Sequence, residues 1–231
     1  SRPVRRLPWP EDAFPRSLFF FPVVGLFIGI FSLGFFSLFR LCLDTRAANL
    51  ALLIAPILLT GGLHVDGFAD CCDGFFGGKD RSDMLRIMKD SRIGTWGALG
   101  IALLILSKFE LLQNLPEKAG FFLLAMTASR WAQVGLSFCL PYAGSGGGLG
   151  ESVSLKIGSL ELVGANIFLF LPVLCLRAKG LVVLGCLFAF LVLLGIFFKR
   201  KAGGLTGDML GAASELTELF VFLSASVLFS H

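Results

Sequence analysis

Charge is scarce in this sequence. Only 16% of its 231 residues are Asp, Glu, Lys or Arg, against roughly 25% in an average soluble domain. The six cysteines show no framework spacing, which excludes a secreted disulfide scaffold. There is no Cys/His zinc spacing, no Walker A loop and no GxSxG elbow, which excludes the chemistries that those motifs carry. Internal repeats and low-complexity linkers are also lacking, so residues 1–231 read as a single domain. What fills the sequence is apolar: 55% of it is hydrophobic and the mean hydropathy is +0.83. A soluble core of this size does not need so much apolar surface, and an excess of Leu and Phe over charge excludes disorder. The fold class expected is all-α, a polytopic transmembrane helix bundle. The net charge of +4 reads as membrane topology, and no nucleic-acid partner is expected.

A membrane helix needs about 20 apolar residues. Seven stretches come near that, at approximately 17–39, 47–63, 95–115, 119–140, 160–176, 180–198 and 209–230. Six spans is the alternative, because the second stretch is short and the third carries Lys108 and Glu110. The first is expected to be a span and not a cleaved leader: it is long, more spans follow, and no small-residue cleavage site ends it. With seven spans and the N-terminus inside, thirteen Lys and Arg fall inside and five outside (Arg40, Arg46, Lys118, Arg177 and Lys179). That bias matches the positive-inside rule of the cytoplasmic membrane. It places the polar segments 64–94, 141–158 and 199–208 together on the cytoplasmic face. Residues 80–92 read as a short interfacial helix, capped by Asp80 or Ser82 and ended by Gly94, with Met84, Leu85, Ile87 and Met88 toward lipid.

The informative segment is GGLHVDGFADCCDGFFGGKD, residues 61–80. On a helix, Asp66, Asp70 and Asp73 stand at i, i+4 and i+7, within about 60° of one another. Carboxylates on one stripe repel, and in so apolar a chain bare acids are costly. A hard divalent cation with oxygen ligands resolves both problems, with Mg²⁺ and bound phosphate the usual case. His64 lies on the far side of an ideal helix, with phosphate binding, proton transfer and polar packing all open to it. Gly67 and Gly74 allow a helix or a substrate to approach the acids closely. Cys71 and Cys72 are poor partners for Mg²⁺ and read as small packing residues.

Two further segments add candidates. In MKDSRIGTWG (88–97), Lys89 and Arg92 are suited to phosphate and flank Asp90. In KRKAGGLTGDMLG (199–211), Asp208 is a candidate fourth ligand, and the Gly-rich backbone around Gly207 suits a phosphate at a helix start. Arg130, inside a span, needs an anionic partner; Glu215 and Glu218 are the candidates. The loop PYAGSGGGLGES (141–152) reads as a lid or a nucleotide contact.

The run from Gly61 to Gly97, with its HxDGxADxxDG pattern, closely resembles the cobalamin-5′-phosphate synthase (adenosylcobinamide-GDP ribazoletransferase) family. FFPVVGLFIG, SRW (129–131), GGLG (147–150) and GGLTGDMLGAASELTE (203–218) resemble its other blocks in order, so the likeness covers most of the chain. Residues 145–147 depart from the family's usual look, which leaves the role of loop 141–152 open. The resemblance implies a Mg²⁺-dependent integral membrane transferase of the cytoplasmic (inner) membrane. Its substrates would be adenosylcobinamide-GDP and α-ribazole or α-ribazole 5′-phosphate, with GMP released during cobalamin nucleotide-loop assembly. Carried onto this chain, Asp66, Asp70, Asp73 and Asp208 would hold Mg²⁺, and Lys89, Arg92 and Arg130 would offset phosphate charge. Asp73 or Asp90 would take the hydroxyl proton. Membrane lipid is an expected partner and a homo-oligomer is left open. The rival readings are a CDP-alcohol phosphatidyltransferase, whose DGxxAR and GxxxDxxxD spacing is absent, and an ion-coupled transporter, against which no inverted repeat is visible.

Overall fold

The computed structural model describes residues 16–143 and 158–229, and within them regular structure is entirely helical. A 3₁₀ turn, Leu18–Phe20, leads into α1 (Phe21–Phe39). Next come α2 (Thr45–Leu59), α3 (Leu63–Gly77), the short α4 (Arg81–Ile87), α5 (Thr95–Gln113), α6 (Lys118–Cys139), α7 (Ser159–Ala202) and α8 (Gly207–Phe229). Among the described residues, one isolated bridge pairs Tyr142 with Leu205, tying the end of α6 to the approach to α8. Among the described residues, four helices are long and apolar enough to cross a membrane, or five if α2 and α3 form one bent span. The loop expected at 141–152 lies outside the described residues beyond Ala143.

The breaks between helices have local causes. Gly61 and Gly62 take φ of 62° and 73°, a left-handed backbone that favours glycine. They turn the chain by 87° between α2 and α3. Within α7, Arg177 leaves helical geometry (φ 54°, ψ −132°). A Cβ on Gly180 would lie 2.6 Å from the Val173 carbonyl oxygen. Seven residues of straight helix span about 10 Å, so α7 folds back into two arms, 159–176 and 178–202.

α6 is the centre of the bundle, buried nearly all round, and packs on α1, α7 and α8. Helix contact is close where residues are small: a Cβ on Gly25 of α1 would run into the Met126 carbonyl of α6.

Basic residues lie at both ends of the bundle. At one end Lys118 donates to Asn49 Oδ1 (2.9 Å), Lys179 pairs with Glu117 (2.6 Å), and Arg46 lies over the Phe109 ring. At the other end lie α4, the start of α5 and the approach to α8, where Arg81 Nε donates to the Ala202 carbonyl (2.6 Å). α4 is capped by Asp80, which accepts from Asp83 N, and it stops at Ile87. Gly94 begins α5 and does not end α4. Met84 and Met88 do not face lipid as expected. They are buried against Gly74 of α3 and Gly78 just after it, which have no side chains to hold them off.

Candidate active site

α3 lies across the starts of α5 and α8, and this crossing builds the site. Where it meets α8, Gly67 lets the backbones touch: a Cβ there would lie 2.9 Å from Asp208 Cα and from the Asp208 carbonyl oxygen. Gly211 of α8 returns the favour, with its own Cβ position 3.2 Å from His64 Cα. The contact brings Asp208 to the acidic stripe of α3. Asp70 feels the charges of Asp208, Asp66 and Asp73 together, and Asp208 feels those of Asp66 and Lys89. Asp66 is exposed, Asp70 and Asp208 half-buried. The helix N-terminus beneath Asp208 adds positive dipole at this place.

Asp73 has another task. It is buried, and its carboxylate accepts from Gly94 N (2.7 Å) and Gly97 N (2.8 Å), two of the otherwise unpaired amides at the start of α5. It caps a helix 21 residues downstream, a task that its expected roles as metal ligand and base did not include. Asp90 also lies away from the cavity described below. Arg92 donates to it through Nε (3.1 Å) and Nη2 (2.8 Å), which holds the Asp90 carboxyl down at about 2. So weak a base is poorly matched to proton transfer near neutral pH. Arg92 is occupied by the same pair and largely exposed. Gly74 packs against Met88.

Beside the acids lies a cavity of about 500 Å³. One wall is the apolar stripe of α1, with Phe21, Val24 and Ile28. A polar stripe of α6, with Arg130, Gln133 and Ser137, lines it as well. His64, Asp66, Gly207 and Asp208 also line it. Among the described residues no three His, Cys, Asp or Glu side chains are close enough to hold an ion by themselves.

Behind that cavity sits a buried charge cluster. Lys108 donates to Glu215 (2.6 Å) and to Glu218 (2.7 Å), and Arg130 stands 3.8 Å from Glu218. Arg130 Nη1 is hydrogen-bonded to Ser129 and Ser214. The glutamates expected to answer Arg130 are therefore claimed first by Lys108. The sequence did mark Lys108 as a charge in a span, but nothing local pointed to its partners 107 and 110 residues away. Gln133 and Ser137 were not singled out at all, although their spacing from Arg130 is that of one helix face.

The family model for cobalamin-5-phosphate synthase matches residues 3–226. The chain belongs to the cobalamin-5-phosphate synthase family. A protein of Chlorobium phaeobacteroides (strain BS1) named adenosylcobinamide-GDP ribazoletransferase is 40% identical over 219 residues, covering 92% of this chain and 88% of its own. Another of that name, from Chlorobaculum tepidum, is 40% identical over 236 residues, covering 98% and 92%. A third, from Acetivibrio thermocellus, is 36% identical over 218 residues, covering 92% and 87%. No solved structure matches. The segments that resemble the family's blocks, far apart in sequence, are those that meet here: α3 with His64, Asp66 and Asp70, Arg130 on α6, and Asp208 on α8.

Proposed function

We infer that this protein is an adenosylcobinamide-GDP ribazoletransferase, the activity its relatives are named for. It joins adenosylcobinamide phosphate to α-ribazole or its 5′-phosphate and releases GMP. The observation that carries the reading is the meeting of the family's acidic blocks beside one cavity, with Asp66 and Asp208 on its wall and Asp70 next to them.

The reaction breaks the P–O–P link of the donor and forms a P–O bond to a ribose hydroxyl. GMP leaves with the bridging oxygen, and the hydroxyl proton passes to a base. Asp66 and Asp208 are the carboxylates that line the cavity, and one of them accepts that proton. Lys89, exposed near Asp208, and Arg130 offset phosphate charge. His64, on the same wall, contacts substrate.

The oxygen donors of Asp66, Asp70 and Asp208 suit Mg²⁺ in kind and are too few to cage it. Mg²⁺ commonly binds through one or two carboxylates plus substrate phosphates, so the residues fit an ion shared with the donor's diphosphate. When bound, Mg²⁺ supplies neutralisation of charge at the phosphate oxygens.

The same reading takes the protein as crossing the cytoplasmic membrane seven times. The bent α2–α3 pair counts as one crossing, the two arms of α7 as two, and α6 crosses despite its polar stripe. The acidic face is then cytoplasmic, because the basic residues are in excess at that end.

Purified protein given adenosylcobinamide-GDP, α-ribazole 5′-phosphate and Mg²⁺ should release GMP together with a joined corrinoid, and EDTA should stop it. Release of CMP from CDP-diacylglycerol instead, or silence with both donors, would overturn the assignment.

A further inference from the structure

A second groove, of about 530 Å³, runs between α1 and α2 and shares only Leu59 with the cavity beside the acids. Phe31, Phe35 and Phe39 of α1 line it with Leu50, Ile54 and Leu58 of α2, and all six are exposed. The three rings pack in a row, with centroids 4.9 Å and then 6.2 Å apart, which makes a stiff apolar wall. From Phe31 to Phe39 the helix rises about 12 Å, close to the roughly 15 Å depth of one leaflet's hydrocarbon. Where α1 passes into α2, the groove ends among cations. Arg40 Nη1 donates to the carbonyl of Leu43 (3.1 Å), which itself lines the groove. Arg46 precedes the lining residue Ala47, and Lys118 is near enough to feel the charge of Arg40. Asp44, in the same connection, accepts from Ala47 N and is spent capping α2. Among the described residues neither Arg40 nor Arg46 has an ion pair, and Lys118 bonds to the neutral Asn49.

Three cations gathered at the end that the positive-inside rule depletes call for an anion, and the wall beside them calls for hydrocarbon. We propose that this groove is a binding site for an anionic phospholipid, with the headgroup phosphate at Arg40, beside Arg46 and Lys118, and one acyl chain along Phe31, Phe35 and Phe39. Beyond its bond to Leu43, Arg40 keeps donors for phosphate oxygens. A zwitterionic lipid fits the wall equally well but brings a cation of its own to the basic end. A second copy of the chain fits worse. In a two-fold contact about an axis normal to the membrane, the same residues meet at the same depth, so the two sets of cations would oppose each other. The site is independent of the transferase reading, because none of these residues belongs to the acidic face.

The test is a lipid competition. Delipidated protein in detergent is mixed with equal amounts of phosphatidylglycerol and phosphatidylcholine of identical chains, and bound lipid is read by native mass spectrometry. Wild-type protein should hold phosphatidylglycerol in preference by about fivefold or more, the weight of one basic residue beside an anionic headgroup. Arg40→Gln/Arg46→Gln alters two exposed side chains. It should reduce the preference to less than about twofold and leave the thermal midpoint without lipid unchanged. Ala51 also lines the groove, so Ala51→Trp should fill it and lower the retention of both lipids. Equal retention of the two lipids by wild-type protein, or a preference that survives the double substitution, would overturn the assignment. So would phosphatidylglycerol held as well by Ala51→Trp, or a dimer in wild-type spectra that Ala51→Trp dissociates, which would give the groove to a second copy.

Discussion

Asp70→Asn is expected to lower the rate of GMP release by about two to three orders of magnitude, the usual cost of losing one group that stabilises transition-state charge. Asp70 stands at the middle of the acidic face, where it feels Asp66, Asp73 and Asp208. No ion pair among the described residues offsets it. Three negative neighbours make an ionised Asp70 unfavourable for the fold alone. Removing its charge therefore relieves repulsion, and the variant should melt no lower than wild type. The split matters: a residue kept for folding would lose both properties, whereas one kept for chemistry loses only turnover. Turnover and thermal unfolding, measured on the same preparation, check it. Full activity in Asp70→Asn would remove the acidic face from the mechanism.

Lys108→Met is expected to destabilise the protein by about 3–5 kcal/mol, because it strands two buried carboxylates. Lys108 is 2% exposed, and both its partners, Glu215 and Glu218, are nearly as deep. With Arg130 the cluster holds two positive and two negative charges, so it is balanced only when complete. The double variant Lys108→Met with Glu215→Gln restores that balance, leaving Arg130 to answer Glu218. It should recover most of the lost stability, and the interaction between the two sites should be large. Thermal unfolding of the three proteins in one detergent is the measurement. Simple additivity of the two single changes would show that the cluster is not coupled.

Much of this fold was legible because apolar length and charge bias act locally. A helix lies at each of the seven stretches, and the break between 160–176 and 180–198 falls at Arg177. The basic residues assigned to one side, among them Lys118 and Lys179, gather at one end of the bundle. The turn at Gly61 and Gly62 was not legible as an 87° bend, since a glycine pair also suits an ordinary span end.

The acidic stripe was legible from helical spacing, and so was the fitness of Asp208 to join it. What spacing could not show is that one member of the stripe faces a different neighbour. Asp66, Asp70 and Asp73 share a face, yet only Asp73 meets the unpaired amides that open α5. That distinction depends on how α3 crosses α5, which no local pattern encodes. The polar wall of the cavity escaped notice for a related reason. Gln133 and Ser137 are ordinary residues of a buried helix until the packing of α1, α3 and α8 leaves a cavity beside them.

The carboxylates of α3 and α8 are proposed to hold a divalent cation jointly with the donor's diphosphate. Mn²⁺ binding followed by electron paramagnetic resonance tests it most directly, on wild-type protein and on the Asp66→Asn/Asp70→Asn/Asp208→Asn variant. Wild-type protein should bind Mn²⁺ weakly by itself and at least about tenfold more tightly with adenosylcobinamide-GDP present, and the triple variant should lose that gain. Binding that is equally tight without donor, or that survives the triple substitution, would contradict the account.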